Sequence, residues 1–113
     1  MTEQKFDDAK AEAFGDRLMD MLNLGSLALM TSIGHRTGLF DSMAGLAPST
    51  SQQIADAAGL NERYVREWLG AMLTGGFVEY SADSKTYSLP AEHASLLTRD
   101  ASPDNIAAFA QYI

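Results

Sequence analysis

Two helix starts lie close together in the middle of the chain, and they restrict how residues 50–89 can fold. Thr50 is followed three residues later by Gln53, which is the pattern of a capping box at the start of a helix. Gly59 suits the end of that helix, and Asn61 is placed to cap a second helix two residues further on. Two helices joined by a short glycine turn form a helix-turn-helix. The inward-facing residues predicted for the first of these helices are Ile54, Ala57 and Ala58.

The second helix and the residues after it extend this pattern to a winged helix. The helix is apolar along one side, and Gly75-Gly76 marks its end. The segments "FVEYS" and "TYSL" have the composition of short strands, and the residues from Ala82 to Lys85 join them. The sequence therefore predicts a two-stranded wing, followed by a helix that starts at Pro90. The predicted apolar side of the second helix comprises Tyr64, Val65, Trp68, Leu69, Met72 and Leu73.

The N-terminal part of the chain predicts two further helices. Apolar residues such as Phe14 and Leu18 recur at helical spacing in a charged sequence, which indicates an amphipathic helix over residues 5–22. Asn23 is placed to cap a second helix over residues 24–36, and that helix is apolar on nearly every side. The segment "LFDSMAGL" then predicts a short helical turn.

The apolar second helix needs more cover than a small winged helix can provide. Homo-oligomers usually close with two-fold symmetry, so we expect a homodimer in which the first two helices form most of the interface. The residues predicted for this interface are Leu27, Leu29, Met30 and Ile33.

The charge of the chain disfavours DNA as a partner. The 113 residues carry 8 Lys and Arg against 15 Asp and Glu, a net charge of −7, and residues 51–89 have five acidic and three basic side chains. DNA affinity depends on neutralising several phosphates, which an acidic surface does poorly. Arg63 and Arg66 are the residues that would contact DNA if the chain were a small winged-helix transcription regulator, which is the alternative function. Each has a Glu nearby, and local ion pairs on a solvated helix face are the simpler interpretation.

Other chemistry has little support in the sequence. The chain has no cysteine, which excludes disulfides and thiolate metal sites, and its two histidines lack metal-ligand spacing, so no metal site is expected. His35 and Arg36 end the predicted second helix, where they complement its C-terminus or face a substrate pocket. His93 is expected to brace the turn after the wing. The charged N-terminal segment has no apolar signal region, so we expect a cytoplasmic protein without a membrane partner.

Three segments of the chain resemble a known family. "GLNERYVREWLGAMLTGGFVEY", "YSLPAEHASLLTR" and, upstream, "SIGHRTGLFDSM" resemble the N-terminal winged-helix domain of bacterial class I S-adenosylmethionine-dependent methyltransferases, over about residues 24–99. More distantly, the order of helices resembles the dimerisation domain of small-molecule O-methyltransferases, in which "GLFD" also precedes the winged helix. The resemblance implies that the domain pairs two subunits and covers the substrate pocket of a catalytic domain that follows it, without reading DNA.

The sequence departs from that family because it contains no cofactor-binding motif. Class I methyltransferases need a glycine-rich turn after their first strand, and no such turn is present. The resemblance therefore implies a fragment that binds no cofactor and is not itself catalytic, with S-adenosylmethionine and a small-molecule methyl acceptor bound by the full-length protein. Ser102 and Pro103 are placed to start a last helix, which remains apolar to the end of the chain. Its predicted apolar side comprises Ile106, Phe109, Ala110 and Ile113.

These patterns together predict a mainly α fold, a winged helix-turn-helix with a short two-stranded wing preceded by two N-terminal helices. We expect a helical dimerisation segment over residues 1–46, the winged helix-turn-helix over 47–99 and the start of a linker helix over 100–113. A transcription regulator is the main alternative, and a protein-interaction module with neither role is a third.

Overall fold

The computed structural model describes residues 5–101 and 104–112. Within these ranges the chain is mainly helical, with one two-stranded antiparallel sheet, as the sequence predicts. No helix in the described ranges combines the length and the apolar character that a membrane span requires. The elements are α1 (Asp8–Arg36), α2 (Leu39–Ala44), α3 (Ser51–Ala58), α4 (Glu62–Thr74), β1 (Glu79–Ser81), β2 (Thr86–Ser88), α5 (Ala91–Leu97), a short 3₁₀ helix (Arg99–Ala101) and a terminal 3₁₀ helix (Ala107–Tyr112).

The first element is one continuous helix of 29 residues, so the predicted division at Asn23 is wrong. The carboxylate of Asp7 caps α1 by accepting a hydrogen bond from the backbone N–H of Lys10, at 3.2 Å. An asparagine inside a helix costs less than about 1 kcal/mol, whereas ending a helix leaves several backbone groups without partners. Because no proline interrupts residues 8–36, the helix continues through Asn23.

The helix-turn-helix is formed by α3 and α4, and its predicted caps are confirmed. Thr50 and Gln53 make both hydrogen bonds of the capping box, at 2.9 and 3.2 Å. Gly59 ends α3 with a φ of 69°, a left-handed conformation that favours glycine. The side chain of Asn61 then caps α4 by accepting from the backbone N–H of Arg63 at 3.0 Å. Both helix starts therefore follow from contacts between residues two or three positions apart.

The core lies where α2, α3 and α4 meet the C-terminal half of α1. Trp68 of α4 lies edge-on to Phe40 of α2, with ring centroids 5.2 Å apart, and its indole N–H donates to the Met30 carbonyl of α1 at 2.8 Å. A Cβ on Gly34 would lie only 2.5 Å from the Phe40 ring and 2.6 Å from the Trp68 ring, so α1 approaches the core closely here. The buried apolar residues are Leu39, Phe40, Met43, Ile54, Ala55, Val65, Trp68, Leu69, Met72, Val78, Ala107 and Ala110.

Two predicted core positions are wrong. Tyr64 is 68% exposed, and in α3 the buried alanine is Ala55, whereas Ala57 is exposed. The helical period alone allows several faces for a short helix, and α3 packs against both α2 and α4, which selects the face that includes Ala55. Leu73, at the edge of the apolar side of α4, is only partly covered.

The wing is a hairpin of β1 and β2 in which Tyr80 pairs with Tyr87. Residues 82–85 join the strands, and Lys85 has a φ of 56°, in the left-handed region. Tyr87 also exchanges two backbone hydrogen bonds with Ser49, at 2.7 and 3.0 Å. Because Ser49 lies just before α3, these bonds attach the wing to the start of the helix-turn-helix.

The end of the described chain returns along α1 as the terminal 3₁₀ helix. The backbone N–H of Ile106 donates to the Leu96 carbonyl at 2.7 Å, which ties this segment to α5. The predicted apolar side is corrected here: Ala107 and Ala110 are buried, while Ile106 and Phe109 are 58% and 67% exposed. A 3₁₀ helix has three residues per turn, which places residues 107 and 110 on one side. Ser102, Pro103 and Ile113 lie outside the described residues.

Candidate functional site

The side of α1 that faces away from the core carries a row of exposed apolar side chains. Leu18, Leu22, Leu29 and Ile33 are separated by four, seven and four positions, which puts them on one helix face, here called the outward stripe. Their exposed fractions run from 40% to 59%. Further apolar side chains in the first half of α1, including Phe14 and Met21, are also exposed. An apolar surface of this extent is typical of a protein interface.

The structure divides the four residues of the predicted dimer interface between two faces of α1. Leu27 and Met30 pack against the core of their own chain. Leu29 and Ile33 are 54% and 42% exposed and belong to the outward stripe. Leu29 and Ile33 are therefore the two predicted interface residues that α1 leaves exposed, and the dimer itself stays a prediction.

The C-terminal end of α1 is held by an arginine that the sequence did not point to. Arg99 donates from its guanidinium to the His35 carbonyl at 2.7 Å, and it forms an ion pair with Asp41. Its backbone N–H also donates to Asp41, at 2.8 Å. Asp41 and His35 lie 58 and 64 positions before Arg99 in the sequence, so no local pattern predicts these contacts.

His35 and Arg36 lie in the last turn of α1, as predicted. His35 is half-buried, and its Nδ1 is a buried atom with no hydrogen-bond partner among the described residues. Neither residue lines the apolar cavity between α1, α5 and the terminal 3₁₀ helix. Their contact with a methyl acceptor stays a prediction.

A cavity of about 530 Å³ lies on another side of the domain. Its walls come from the middle of α1, the glycine turn after α4, α5 and the terminal 3₁₀ helix. The walls are mostly apolar, and Phe77, Leu96 and Phe109 supply much of that surface. Two polar side chains, Thr31 and His93, also line it. Pockets of 300–1,000 Å³ with few polar groups are the usual size and character of small-molecule sites.

His93 contacts the turn after α4. Its Nδ1 lies 2.8 Å from the carbonyl oxygen of Phe77, so α5 is tied to the residue that precedes the wing. His93 was predicted to brace the turn after the wing, whereas the contact with Phe77 lies before the wing.

The helix that would read DNA presents paired charges to solvent. Arg63 lies 3.8 Å from Glu67, and Arg66 lies 3.6 Å from Glu62, each pair four positions apart on α4. Glu62 also accepts a hydrogen bond from the Ser51 hydroxyl at 2.6 Å. The predicted local ion pairs are thus present, and each arginine that could meet a phosphate already has a carboxylate beside it.

The described residues contain no group of three or more His, Asp or Glu side chains that could hold a metal ion.

The chain matches one family model, described as an Rv2258c-like winged HTH domain, over residues 25–99. No curated protein has a sequence similar enough to count as a relative.

Solved structures with the same fold include proteins described as methyltransferases and proteins described in complex with SAM or SAH. "PigF with SAH" matches with a TM-score of 0.74 and 21% identity, over 88% of this chain and 28% of that one. The mitomycin 7-O-methyltransferase MmcR matches with a TM-score of 0.74 and 24% identity, over 94% and 30%. Human N-acetylserotonin methyltransferase in complex with SAM matches with a TM-score of 0.71 and 15% identity, over 99% and 31%. The chain thus spans less than a third of each, and identities this low show a shared fold.

Proposed function

This chain belongs to the Rv2258c-like winged helix-turn-helix family, and from that membership we propose that it is the dimerisation and substrate-enclosing domain of an S-adenosylmethionine-dependent methyltransferase. In this proposal the methyl acceptor is a small molecule, and the chain itself supplies no catalytic or cofactor-binding residue. The chain is similar to only about 30% of the length of proteins described with SAH or as O-methyltransferases. This coverage supports assigning methyl transfer to another part of the full-length protein.

The observation that carries the proposal is the outward stripe of α1. A helix of 29 residues is about 43 Å long, and its first half projects from the rest of the domain. The radius of gyration is 18.2 Å, whereas a compact chain of 100 residues has about 13 Å. A projecting helix with apolar residues on its outer face needs a second surface to cover it.

Burial of the stripe in a dimer offsets a large part of the cost of association. Completing the burial of each half-exposed leucine or isoleucine contributes roughly 1 kcal/mol. In a two-fold dimer each stripe residue is buried once in each of the two copies. The four stripe residues then supply on the order of 8 kcal/mol, within the range of roughly 4–15 kcal/mol that association costs. Other exposed residues of α1, such as Phe14 and Met21, add to this total.

Within the proposal, His35 and Arg36 are the candidates for facing the methyl acceptor from this domain. They stand in the last turn of α1, where His35 is half-buried and Arg36 is exposed. DNA binding has weaker support, because both arginines of α4 are already beside glutamates and residues 51–89 are net acidic.

Substituting Leu29 with aspartate tests the dimer. We expect sedimentation of the unmodified chain at high micromolar concentration to report a dimer, and the Leu29→Asp variant to sediment as a folded monomer. Leu24→Asp is the matched control, since Leu24 is 67% exposed on the same helix but outside the outward stripe, and this variant should remain dimeric. A monomeric unmodified chain, or equal effects of the two substitutions, would contradict the proposal.

A further inference from the structure

The cavity beside α5 is lined by uncharged residues wherever the structure describes its walls. The described residues that line it include no Asp, Glu, Lys or Arg. Small residues, among them Ala28, Gly76 and Ala110, leave its space open, and larger apolar side chains form its sides. A ligand that enters this space must therefore be mainly apolar and uncharged, since nothing here offsets the cost of burying a charge.

The two polar side chains of the cavity, His93 and Thr31, each donate a hydrogen bond to a backbone carbonyl of the domain. The carbonyl oxygen of Phe77 can only accept, so the Nδ1 of His93 donates to it, and the Nε2 of the neutral ring is left as an acceptor. The Thr31 hydroxyl donates to the Leu27 carbonyl at 2.7 Å, so its oxygen is also left as an acceptor. Both side chains line the cavity, and each has an acceptor that is not used within the domain.

From this arrangement we infer that the cavity is a binding site for a planar apolar molecule with one neutral hydrogen-bond donor, of the phenol or fused-ring alcohol class. The rings pack between Phe77, Leu96 and Phe109, and the hydroxyl donates to Nε2 of His93. The site is formed by one chain, so binding requires neither a second copy nor a catalytic domain, and it stands apart from the function proposed above.

The shape of the site depends on the terminal 3₁₀ helix. The hydrogen bond from the Ile106 N–H to the Leu96 carbonyl positions Ala107, Phe109 and Ala110 beside α1 and α5. Aromatic rings favour offset or edge-on contact with a planar ligand, which adds specificity for flat molecules over branched ones.

Titration with 2-naphthol and 2-methoxynaphthalene tests the site. Methylation removes the donor and keeps the rings, so we expect 2-naphthol to bind with saturation and the ether to bind roughly fivefold more weakly. In ¹⁵N-labelled chain, the shifts should map to Phe77, His93 and Leu96. Absence of saturable binding, equal affinities for the two ligands, or shifts centred elsewhere would overturn the inference.

His93→Asn isolates the proposed acceptor. The asparagine amide can still donate to the Phe77 carbonyl, but the acceptor at the position of Nε2 is lost. The 2-naphthol affinity should fall to that of the ether, whose own affinity stays unchanged, while Glu92→Gln on the exposed side of α5 alters neither. Preserved discrimination in folded His93→Asn would refute the hydrogen bond. Ala28→Leu fills the cavity from α1 and should weaken both ligands, and unchanged affinities would refute the location.

Discussion

Both halves of α1 carry apolar side chains, yet only one half is covered. Residues 8–23 also include six charged residues, whereas Arg36 is the one Asp, Glu, Lys or Arg in residues 24–36. From Leu27 onward the helix packs against α4 and the terminal 3₁₀ helix, and Gly34 lies in contact range of two core rings. Between Asp8 and Asn23 nearly every side chain is exposed. Even within the apolar half, Leu29 and Ile33 stay exposed. Apolar composition alone therefore does not place a helix face in a core, because burial also requires a partner surface at the right distance.

Met30 and Leu29 are neighbours on different sides of α1, and substituting each with aspartate gives the largest expected difference between a covered and an exposed face. Met30→Asp puts a charge against the core, and we expect it to lower the free energy of unfolding by about 3 kcal/mol. Leu29→Asp, one position away on the outward stripe, should change the stability of the folded monomer by less than about 0.5 kcal/mol. Urea denaturation of both variants under monomeric conditions measures the difference. Similar losses in the two variants would show that both faces are buried within one chain.

The glycine at the close approach of α1 gives the next largest effect. Gly34→Ala introduces a methyl group that overlaps the Phe40 and Trp68 rings, so we expect a loss of about 2 kcal/mol as α1 shifts away. Thermal denaturation followed by circular dichroism measures it, and a weaker Trp68 contact should change the tryptophan fluorescence. An unchanged melting temperature would mean that α1 is not seated on these rings.

The glycine in the uncovered half should show the opposite sign. A Cβ on Gly15 would meet no atom within 4 Å, and alanine is the better helix former, so Gly15→Ala should stabilise the first half of α1 by about 0.5–1 kcal/mol. Amide hydrogen exchange of residues 10–20, measured under monomeric conditions because Gly15 lies on the face of the outward stripe, should slow by a few-fold. If exchange accelerates, another surface occupies the space beside Gly15, and the helix is not free there.

Much of the winged helix could be predicted because its signals are local. Thr50 with Gln53, and Asn61 with the start of α4, each depend on hydrogen bonds between residues two or three positions apart. The wing was equally accessible, since alternating strand residues and a short turn set the pairing of Tyr80 with Tyr87. The predicted division of α1 failed because a good capping residue is also a tolerable helix residue, and the choice depends on the energies of the whole helix.

The candidate sites were less accessible to prediction. The sequence pointed to Leu27, Leu29, Met30 and Ile33 as one set, and the structure assigns two of them to the core. His93 and Thr31 lie more than 60 positions apart, so nothing in the sequence indicates that they share a cavity. The role of Arg99 at the end of α1 was missed for the same reason.

The sequence by itself determined the two helices of the helix-turn-helix, their caps, the wing and the acidic charge, because these follow from the chemistry of residues close together along the chain. The tertiary structure decided which face of α1 meets the core, and it brought Arg99 to Asp41 and His93 to the cavity. Those outcomes depend on the relative positions of whole helices. Helix positions come from the sum of many weak packing contacts between distant residues, and no short stretch of sequence contains that sum.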